Sequence, residues 1–249
     1  MDGKSLQIMT VENIMGSEQA RTARTFDAYK DVYTETVDES LAFTGMSVDF
    51  VTRVKADYIL DLVREKFGTS DKVSALDIGC GVGNYHEFLA PHFRKLCGID
   101  VSGESIEVAR RRGLPVSYDV YDGATLPYSD ESFDVVFAIC VLHHVPPARW
   151  SAFAIEMRRV LKPGGLALIF EHNPRNPITM RVVNSCPFDA DAVLLRCETA
   201  EALLAAASFT QVRSRFILSI PAATTWLRRV DGLFSGLRFG AQYYVTAIA

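Results

Sequence analysis

Short apolar segments alternate with segments of helical length through the middle of the chain, and this alternation limits the possible folds more than any other feature of the sequence. A strand, a helix and a second strand in succession form a βαβ unit, and repeated units give a mostly parallel sheet with helices on both faces. We therefore expect a doubly wound α/β fold. The predicted strands span residues 73–78, 95–100, 116–121, 133–140 and 166–171, and the helices between them span 84–93, 105–112 and 148–161.

The two ends of the chain differ from this middle part. Residues 1–70 are polar to about Thr44 and then amphipathic with helical spacing, which predicts an N-terminal helical cap, or lead-in, ahead of a main domain at residues 71–249. Two further strands are predicted at 211–220 and 241–248. No helix-length crossover separates these two strands, so the final strand is expected to run antiparallel.

The composition excludes several classes of function. Lysine and arginine total 26 while aspartate and glutamate total 30, so the net charge of −4 provides no field to attract nucleic acid. The longest apolar run, at residues 135–142, is far shorter than the roughly 20 residues of a membrane span, and residues 1–15 lack the pattern of a signal peptide. We expect a cytoplasmic monomer or homodimer. Five widely spaced cysteines, without a CxxC motif or a histidine cluster, predict neither a disulfide framework nor a metal site.

A glycine-rich segment lies directly after the first predicted strand and directly before a helix. Gly79, Gly81 and Gly83 follow the spacing GxGxG, and glycines at such a place permit a tight turn and let a ligand approach the backbone. The spacing departs from the GxGxxG of dinucleotide-binding loops, because Asn84 stands where the third glycine would be. A carboxylate at Asp77 would also repel a pyrophosphate. The loop therefore favours a ligand with a cationic group.

Two further acids follow the next two strands at the same edge of the predicted sheet. Asp100 comes 17 residues after Gly83, close to the interval of about 20 residues at which an acid reaches ribose hydroxyls. Asp122 ends the third strand and could accept a hydrogen bond from an exocyclic amine. Each acid alone could be a simple turn former. Three carboxylates at successive strand ends, where open α/β sheets bind ligands, predict an adenosine-type ligand.

Five segments of the middle region form a recognisable pattern. In chain order they read LDIGCGVGN, GIDVS, YDGATLPYSDESFDVV, VLHHV and RRVLKPGG, within residues 73–171. This order resembles the class I S-adenosylmethionine-dependent methyltransferases of the small-molecule type. The resemblance implies a Rossmann-like sheet of seven strands in the order 3-2-1-4-5-7-6 with the last strand antiparallel. It also implies S-adenosyl-L-methionine as the cofactor and S-adenosyl-L-homocysteine as the product.

The resemblance also assigns roles to residues around the cofactor. The glycine loop borders the methionine part, Asp77 helps to hold the ammonium group, and Asp100 binds the ribose hydroxyls. Asp122 and the amide that follows it read the adenine, and an aromatic lead-in at residues 26–33 folds over the cofactor. The implied cofactor contacts are Tyr33, Asp77, Gly79, Gly81, Gly83, Asp100, Val101, Asp122, Gly123 and Ala138.

The chemistry implied by this resemblance is an in-line displacement, in which alignment of nucleophile, methyl group and sulfur supplies most of the catalysis. We expect a small-molecule acceptor that is methylated at oxygen or nitrogen. A hydroxyl or a protonated amine would need a general base, and histidine is the usual choice at neutral pH. His172, after the fifth strand, is the first candidate and His143, after the fourth, is the second. His86 is expected to be solvated or to cap its helix.

Two long insertions, at about 173–198 and 221–240, are expected to form lids. The first carries several prolines, which favour an ordered segment, and Asn173, Arg175 and Asn176 at its start are the candidate acceptor contacts. The second carries an apolar stripe at helical spacing, which predicts packing against the first lid or against a second subunit.

Two other functions remain open at this point. A nicotinamide-dependent oxidoreductase could use an unusual glycine loop, although Asp77 and Asn84 weigh against it. A non-catalytic module that binds S-adenosylmethionine could share every cofactor residue, although the complete set of loop and acids favours an enzyme.

Overall fold

Seven strands form one sheet in the order β3-β2-β1-β4-β5-β7-β6. The structure is a computed structural model, which describes residues 33–219, 225–234 and 238–249 together with Arg21, Ala23, Arg24 and Asp27. The strands are β1 (Ser74–Ile78), β2 (Lys95–Asp100), β3 (Ser117–Val120), β4 (Phe133–Ile139), β5 (Leu161–His172), β6 (Thr210–Ile217) and β7 (Gln242–Ile248).

The strand pairings place five carboxyl ends at one edge of the sheet. Strand β1 pairs in parallel with β2 and β4, with Leu76 opposite Cys97 on one side and Val136 on the other. Strand β3 pairs in parallel with β2, and β5 in parallel with β4. Strand β7 runs antiparallel to both β5 and β6. The predicted strand order and the antiparallel last strand are therefore confirmed.

The helices begin and end at residues suited to those positions. The Ser47 hydroxyl accepts a hydrogen bond from the Phe50 amide at the start of one helix, and Gly68, with φ of 77°, ends the same helix. None of the described helices is both long and apolar enough to cross a membrane. The helices are α1 (Tyr33–Leu41), α2 (Val48–Phe67), α3 (His86–Leu89), α4 (Gly103–Arg111), α5 (Trp150–Val160), α6 (Pro177–Ser185), α7 (Cys197–Ala206) and α8 (Thr225–Phe234).

Helices cover both faces of the sheet, as the alternating pattern predicts. On one face, Ile59 and Val63 of α2 share an apolar cluster with Leu168 of β5. On the other face, Met157 of α5 and Leu204 of α7 pack with residues of β1, β4, β5 and β7. The amphipathic helix of the N-terminal region is thus packed against the sheet itself.

Three predicted elements differ from the structure. Strand β5 begins at Leu161, because Leu161 pairs with Phe133 ahead of a register shift in β4. Helix α3 has four residues and gives way to a 3₁₀ turn that contains Pro91, whose missing N–H cannot continue an α-helix. In α8, Trp226 and Leu233 are 64% and 80% exposed, so the predicted apolar face is not packed within the described chain at these positions.

Burial of α2 leads to a stability prediction. Ile59→Ala should lower the free energy of unfolding by about 2–5 kcal/mol, because the side chain is fully buried and its removal leaves a cavity. The matched control is Ile155→Ala, which removes a 58% exposed side chain of α5 and should cost less than about 0.5 kcal/mol. Urea denaturation followed by circular dichroism measures both. Equal losses in the two variants would contradict the packing of α2 on the sheet.

Candidate functional site

A cavity of about 230 Å³ lies at the carboxyl ends of β1, β2, β4 and β5, the edge at which open α/β sheets bind ligands. Each strand end supplies part of the wall: Gly79 follows β1, Val101 follows β2, Cys140 follows β4 and His172 ends β5. Helices α1, α2 and α6 add an apolar part of the lining, made of Val37, Leu41, Val48, Val51, Ile178 and Val182.

The glycine loop between β1 and α3 borders this cavity at two of its three glycines. Gly79 has φ of +75°, and a Cβ at this position would lie 2.5 Å from Cγ2 of Val141, so a larger residue does not fit. Gly81 also lines the cavity, with open space where a Cβ would stand. At Gly83 a Cβ would lie 3.0 Å from the Tyr118 hydroxyl, which gives this glycine a packing role instead.

Asp77 is buried in β1 and lines the cavity. Its Oδ2 lies 3.1 Å from Nε2 of His86, and the other ring nitrogen of His86 lies 2.8 Å from the Tyr118 hydroxyl. Its Oδ1 has no hydrogen-bond partner among the described residues. Burial raises the pKa of Asp77, while the hydrogen bond from His86 opposes that rise. The expectation of a solvated His86 is therefore wrong, since this ring is fully buried and holds the carboxylate of Asp77 in place.

Asp100, the last residue of β2, receives two backbone hydrogen bonds. Its Oδ2 accepts from the Gly81 amide and its Oδ1 from the Ser102 amide, each at 2.8 Å. The Ser102 hydroxyl in turn donates to Asp27 at 2.5 Å, which brings one residue of the N-terminal aromatic segment to this loop. Burial raises the pKa of Asp100 to about 6, although the two amide hydrogen bonds favour its charged form. Each carboxylate oxygen keeps a lone pair for a further donor.

The remaining predicted cofactor residues differ in whether they line the cavity. Val101 lines it. Tyr33 is the first residue of α1, and its side chain lies outside the described part of the structure. Asp122 is exposed after β3, where its Oδ1 accepts hydrogen bonds from the amides of Ala124 and Thr125 and thereby shapes the turn that contains Gly123. Neither Asp122 nor Gly123 lines the cavity.

Ala138 lies in the hydrophobic core and away from the cavity wall. It pairs with Ile78 in the middle of the sheet and is fully buried. The next residue along β4, Ile139, lines the cavity instead. Successive residues of a strand point to opposite faces, which explains why a shift of one position separates the two.

A histidine–carboxylate cluster consists of His143, His144, Glu171, His172 and Asp189, and all of these except Glu171 line the cavity. Oε2 of Glu171 lies 2.5 Å from Nδ1 of His143, and its Oε1 accepts hydrogen bonds from two backbone amides after β4. Burial alone would lower the pKa of His143, but the negative charge of Glu171 raises it well above the usual value. Both ring nitrogens of His143 face carboxylates, since Oδ1 of Asp189 lies 3.7 Å from Nε2.

His172 lies beside His143 and lines the cavity. The two ring centroids are 5.2 Å apart, and Nδ1 of His172 is 3.4 Å from Nε2 of Gln242. The structure thus brings the two predicted catalytic histidines together on one wall.

A buried lysine, which the sequence patterns did not single out, lies in the same cavity. Nζ of Lys55, from α2, donates to Sγ of Cys140 at 3.5 Å and lies 5.5 Å from the ring centroid of Tyr85. Cys140, the residue directly after β4, adopts φ of +58°. Burial raises the pKa of this thiol, but the charges of Lys55 and His172 prevail and lower it to about 7. Such a thiol is ionised in part at neutral pH.

The three predicted acceptor contacts do not line the cavity. Asn173 is buried and donates to the carbonyls of Arg238 and Gly240. These hydrogen bonds tie the end of β5 to the chain ahead of β7. Arg175 pairs with Glu198 at 3.1 Å near the surface. Asn176 caps α6 by accepting hydrogen bonds from the amides of residues 178 and 179. The first predicted lid nevertheless contributes to the lining, through Ile178, Thr179, Val182, Cys186, Phe188 and Asp189.

Comparison with known proteins agrees with this geometry. The family described as "Methyltransferase domain" matches residues 76–169. Methyltransferase GfsG of Streptomyces halstedii is 41% identical over 111 residues, which cover 41% of this chain and 38% of that protein. The Probable tRNA methyltransferase 9B of Mus musculus is 40% identical over 95 residues, which cover 38% of this chain and 20% of that protein. The matched part is therefore less than half of either relative.

A solved structure from Thermotoga maritima shares the overall fold. It is described as a SAM-dependent methyltransferase and possible histamine N-methyltransferase, and it superposes with a TM-score of 0.62 and 18% identity over 90% of this chain and 97% of that one. Residues 76–169 thus match a methyltransferase domain family, and the sheet of this chain shares the fold of that solved structure.

Proposed function

We propose that the chain binds S-adenosyl-L-methionine in this cavity and transfers its methyl group to the oxygen or nitrogen of a small molecule. The observation that carries the proposal is the pair of buried carboxylates, Asp77 and Asp100, on either side of a glycine loop at the sheet edge. The family match and the relatives named as methyltransferases support the reaction type. The same match argues against the nicotinamide-dependent oxidoreductase.

The cavity residues fit this cofactor group by group. The buried Asp77 Oδ1, which lacks a partner among the described residues, suits a cationic ammonium group. The two oxygens of Asp100 can each accept one ribose hydroxyl besides their backbone donors. Gly79 and Gly81 let the methionine part approach the backbone. When bound, the cofactor supplies an electrophilic methyl group on a positively charged sulfur.

The acceptor side of the cavity favours a small, largely apolar molecule. Helices α1, α2 and α6 contribute mainly aliphatic side chains to the lining. The negative net charge disfavours nucleic acid as the acceptor, although one relative is named as a tRNA methyltransferase. The polar groups that can face a hydroxyl or amine are His172, His144, Lys55 and Thr179.

His172 is the proposed general base among these groups. It lies at the end of β5 on the cavity wall, and its Nδ1 is within 3.4 Å of the Gln242 amide nitrogen. A general base needs the lone pair on Nε2, and this requires the Gln242 amide to be turned so that its Oε1, which lacks a partner among the described residues, accepts from Nδ1–H. The role of His143 is different in this proposal, because both of its ring nitrogens face carboxylates.

Asp100→Asn should weaken cofactor binding by about 1.5–3 kcal/mol, since hydrogen bonds to a charged acceptor are lost while the shape is kept. This loss corresponds to roughly a tenfold to 150-fold rise in Kd. The matched control is Asp119→Asn, which removes an exposed carboxylate from the neighbouring strand β3. Isothermal titration calorimetry with S-adenosyl-L-methionine measures both. An unchanged Kd in folded Asp100→Asn would refute the ribose assignment.

Cofactor affinity should also fall in mild acid. Burial raises the pKa of Asp100 to about 6, so the charged form dominates above pH 6 and is lost as the pH falls through that value. If the protonated form does not bind, Kd should be about tenfold higher at pH 5 than at pH 7.5. The Kd of the Asp100→Asn protein should not show this rise between pH 7.5 and pH 5. The same pH dependence in both proteins would assign it to another group.

His172→Ala should leave the Kd of the cofactor within about twofold and lower turnover by about 10²–10⁴-fold, the usual contribution of a general base. The control is His92→Ala, an exposed histidine outside the cavity. Transfer of a labelled methyl group to fractions of a cell extract measures activity and identifies the acceptor. Retained turnover in His172→Ala would exclude it as the base. Cofactor binding without transfer to any fraction in the unsubstituted protein would favour the non-catalytic binding module.

A further inference from the structure

Three side chains of the histidine–carboxylate cluster bring metal-ligand atoms together on the cavity wall. His143, His144 and Asp189 each offer one such atom, and these atoms lie within 4.8 Å of one another. The two histidines follow β4, whereas Asp189 follows α6 in the first predicted lid. The ligands therefore come from two separate loops, which is why no local spacing in the sequence indicated a metal site.

The distances between these atoms are close to those between the ligand atoms around a single metal ion. Oδ1 of Asp189 lies 3.7 Å from Nε2 of His143 and 3.3 Å from Nε2 of His144. Ligand atoms placed around zinc at about 2.0–2.1 Å in a tetrahedron lie about 3.4 Å apart. A single ion can thus contact all three atoms after small side-chain movements.

Glu171 supplies the outer support that a metal-binding histidine requires. Its Oε2 lies 2.5 Å from Nδ1 of His143, and its Oε1 is held by the amides of Val141 and Leu142 at 3.1 and 2.8 Å. A carboxylate on Nδ1 keeps a proton there, so an ion that binds at Nε2 would displace only the proton between Nε2 and Asp189. This carboxylate–histidine arrangement is common next to protein-bound metal ions.

The charge of the cluster also suits a cation. Glu171 is fully buried and Asp189 nearly so, and a bound cation would add to the positive charge that His143 supplies between these two carboxylates. Two imidazole nitrogens and one carboxylate oxygen favour a first-row transition metal such as Zn²⁺, Fe²⁺ or Co²⁺ over Mg²⁺ or Ca²⁺, which prefer oxygen ligands.

We propose that His143, His144 and Asp189 bind one divalent transition-metal ion at the cavity wall, with Glu171 as the positioning residue for His143. Three protein ligands leave at least one coordination position, as in catalytic metal sites. All three ligands line the cavity, so this position is accessible from it. An acceptor oxygen bound there would lose its proton more readily. That last role rests on the proposed methyl transfer, whereas the metal site does not.

Zn²⁺ titration of the untagged, chelator-treated protein tests the site. Calorimetry should show one ion per chain with a Kd in the micromolar range or tighter. His144→Ala and Asp189→Asn should each raise that Kd at least tenfold, and Glu171→Gln should raise it about 10–100-fold. His92→Ala, at an exposed histidine away from the cluster, should bind as the unsubstituted protein does. Co²⁺ should give visible absorption bands that both ligand variants lose.

Two results would overturn the metal site. The first is an absence of stoichiometric Zn²⁺ binding to the unsubstituted protein. The second is an unchanged Kd in both His144→Ala and Asp189→Asn, which would mean that the ion binds elsewhere. Circular dichroism and S-adenosyl-L-methionine titration of the variants show whether they are folded. Because Zn²⁺ binding is measured without methyl transfer, its failure and the failure of the proposed function give different results.

Discussion

Three carboxylates are buried at one edge of the sheet, near the ends of β1, β2 and β5, and the structure depends on how their desolvation is offset. Asp77 is met by the buried ring of His86. Asp100 receives two amide hydrogen bonds from the loops around it. Glu171 is held by two further amides and by His143. The segments after these strands therefore owe their conformation to these acids, two of which, Asp77 and Asp100, also line the cavity.

The parts that could be predicted from the sequence are those encoded within a few neighbouring residues. Strand patterns gave the α/β fold, and the loop after β1 with the acid after β2 indicated the cofactor side of the cavity. His86 was expected to be solvated or to cap its helix, and Lys55 was not singled out, because the partners of both come from tertiary packing. The contact of Lys55 with Cys140 spans 85 positions, and no periodicity connects them. His86 and Lys55 are residue types that often lie on helix surfaces. Only their burial in the folded chain distinguishes them from such surface residues.

The first lid shows a second limit of local reasoning. Polar residues at its start were predicted to contact the acceptor, yet Asn173 and Asn176 satisfy backbone groups that the turn leaves unpaired. Asparagine competes well for such groups, so polarity in a turn is weak evidence for a ligand. The lining comes instead from one side of α6, where Ile178 and Val182 are four positions apart and therefore lie on the same side of the helix.

The position of β7 has a consequence for how the chain is built. Strand β7 follows β6 in the chain but lies between β5 and β6 in the sheet. During synthesis β6 is complete before β7 exists, and it has no neighbour in the sheet to which it can pair. Until β7 leaves the ribosome, β5 presents an open edge of unpaired backbone groups, which is the kind of surface that chaperones shield from aggregation. The sheet therefore cannot be completed until β7 has been synthesised. The same holds for the hydrogen bonds from Asn173 to residues 238 and 240, which lie just ahead of β7.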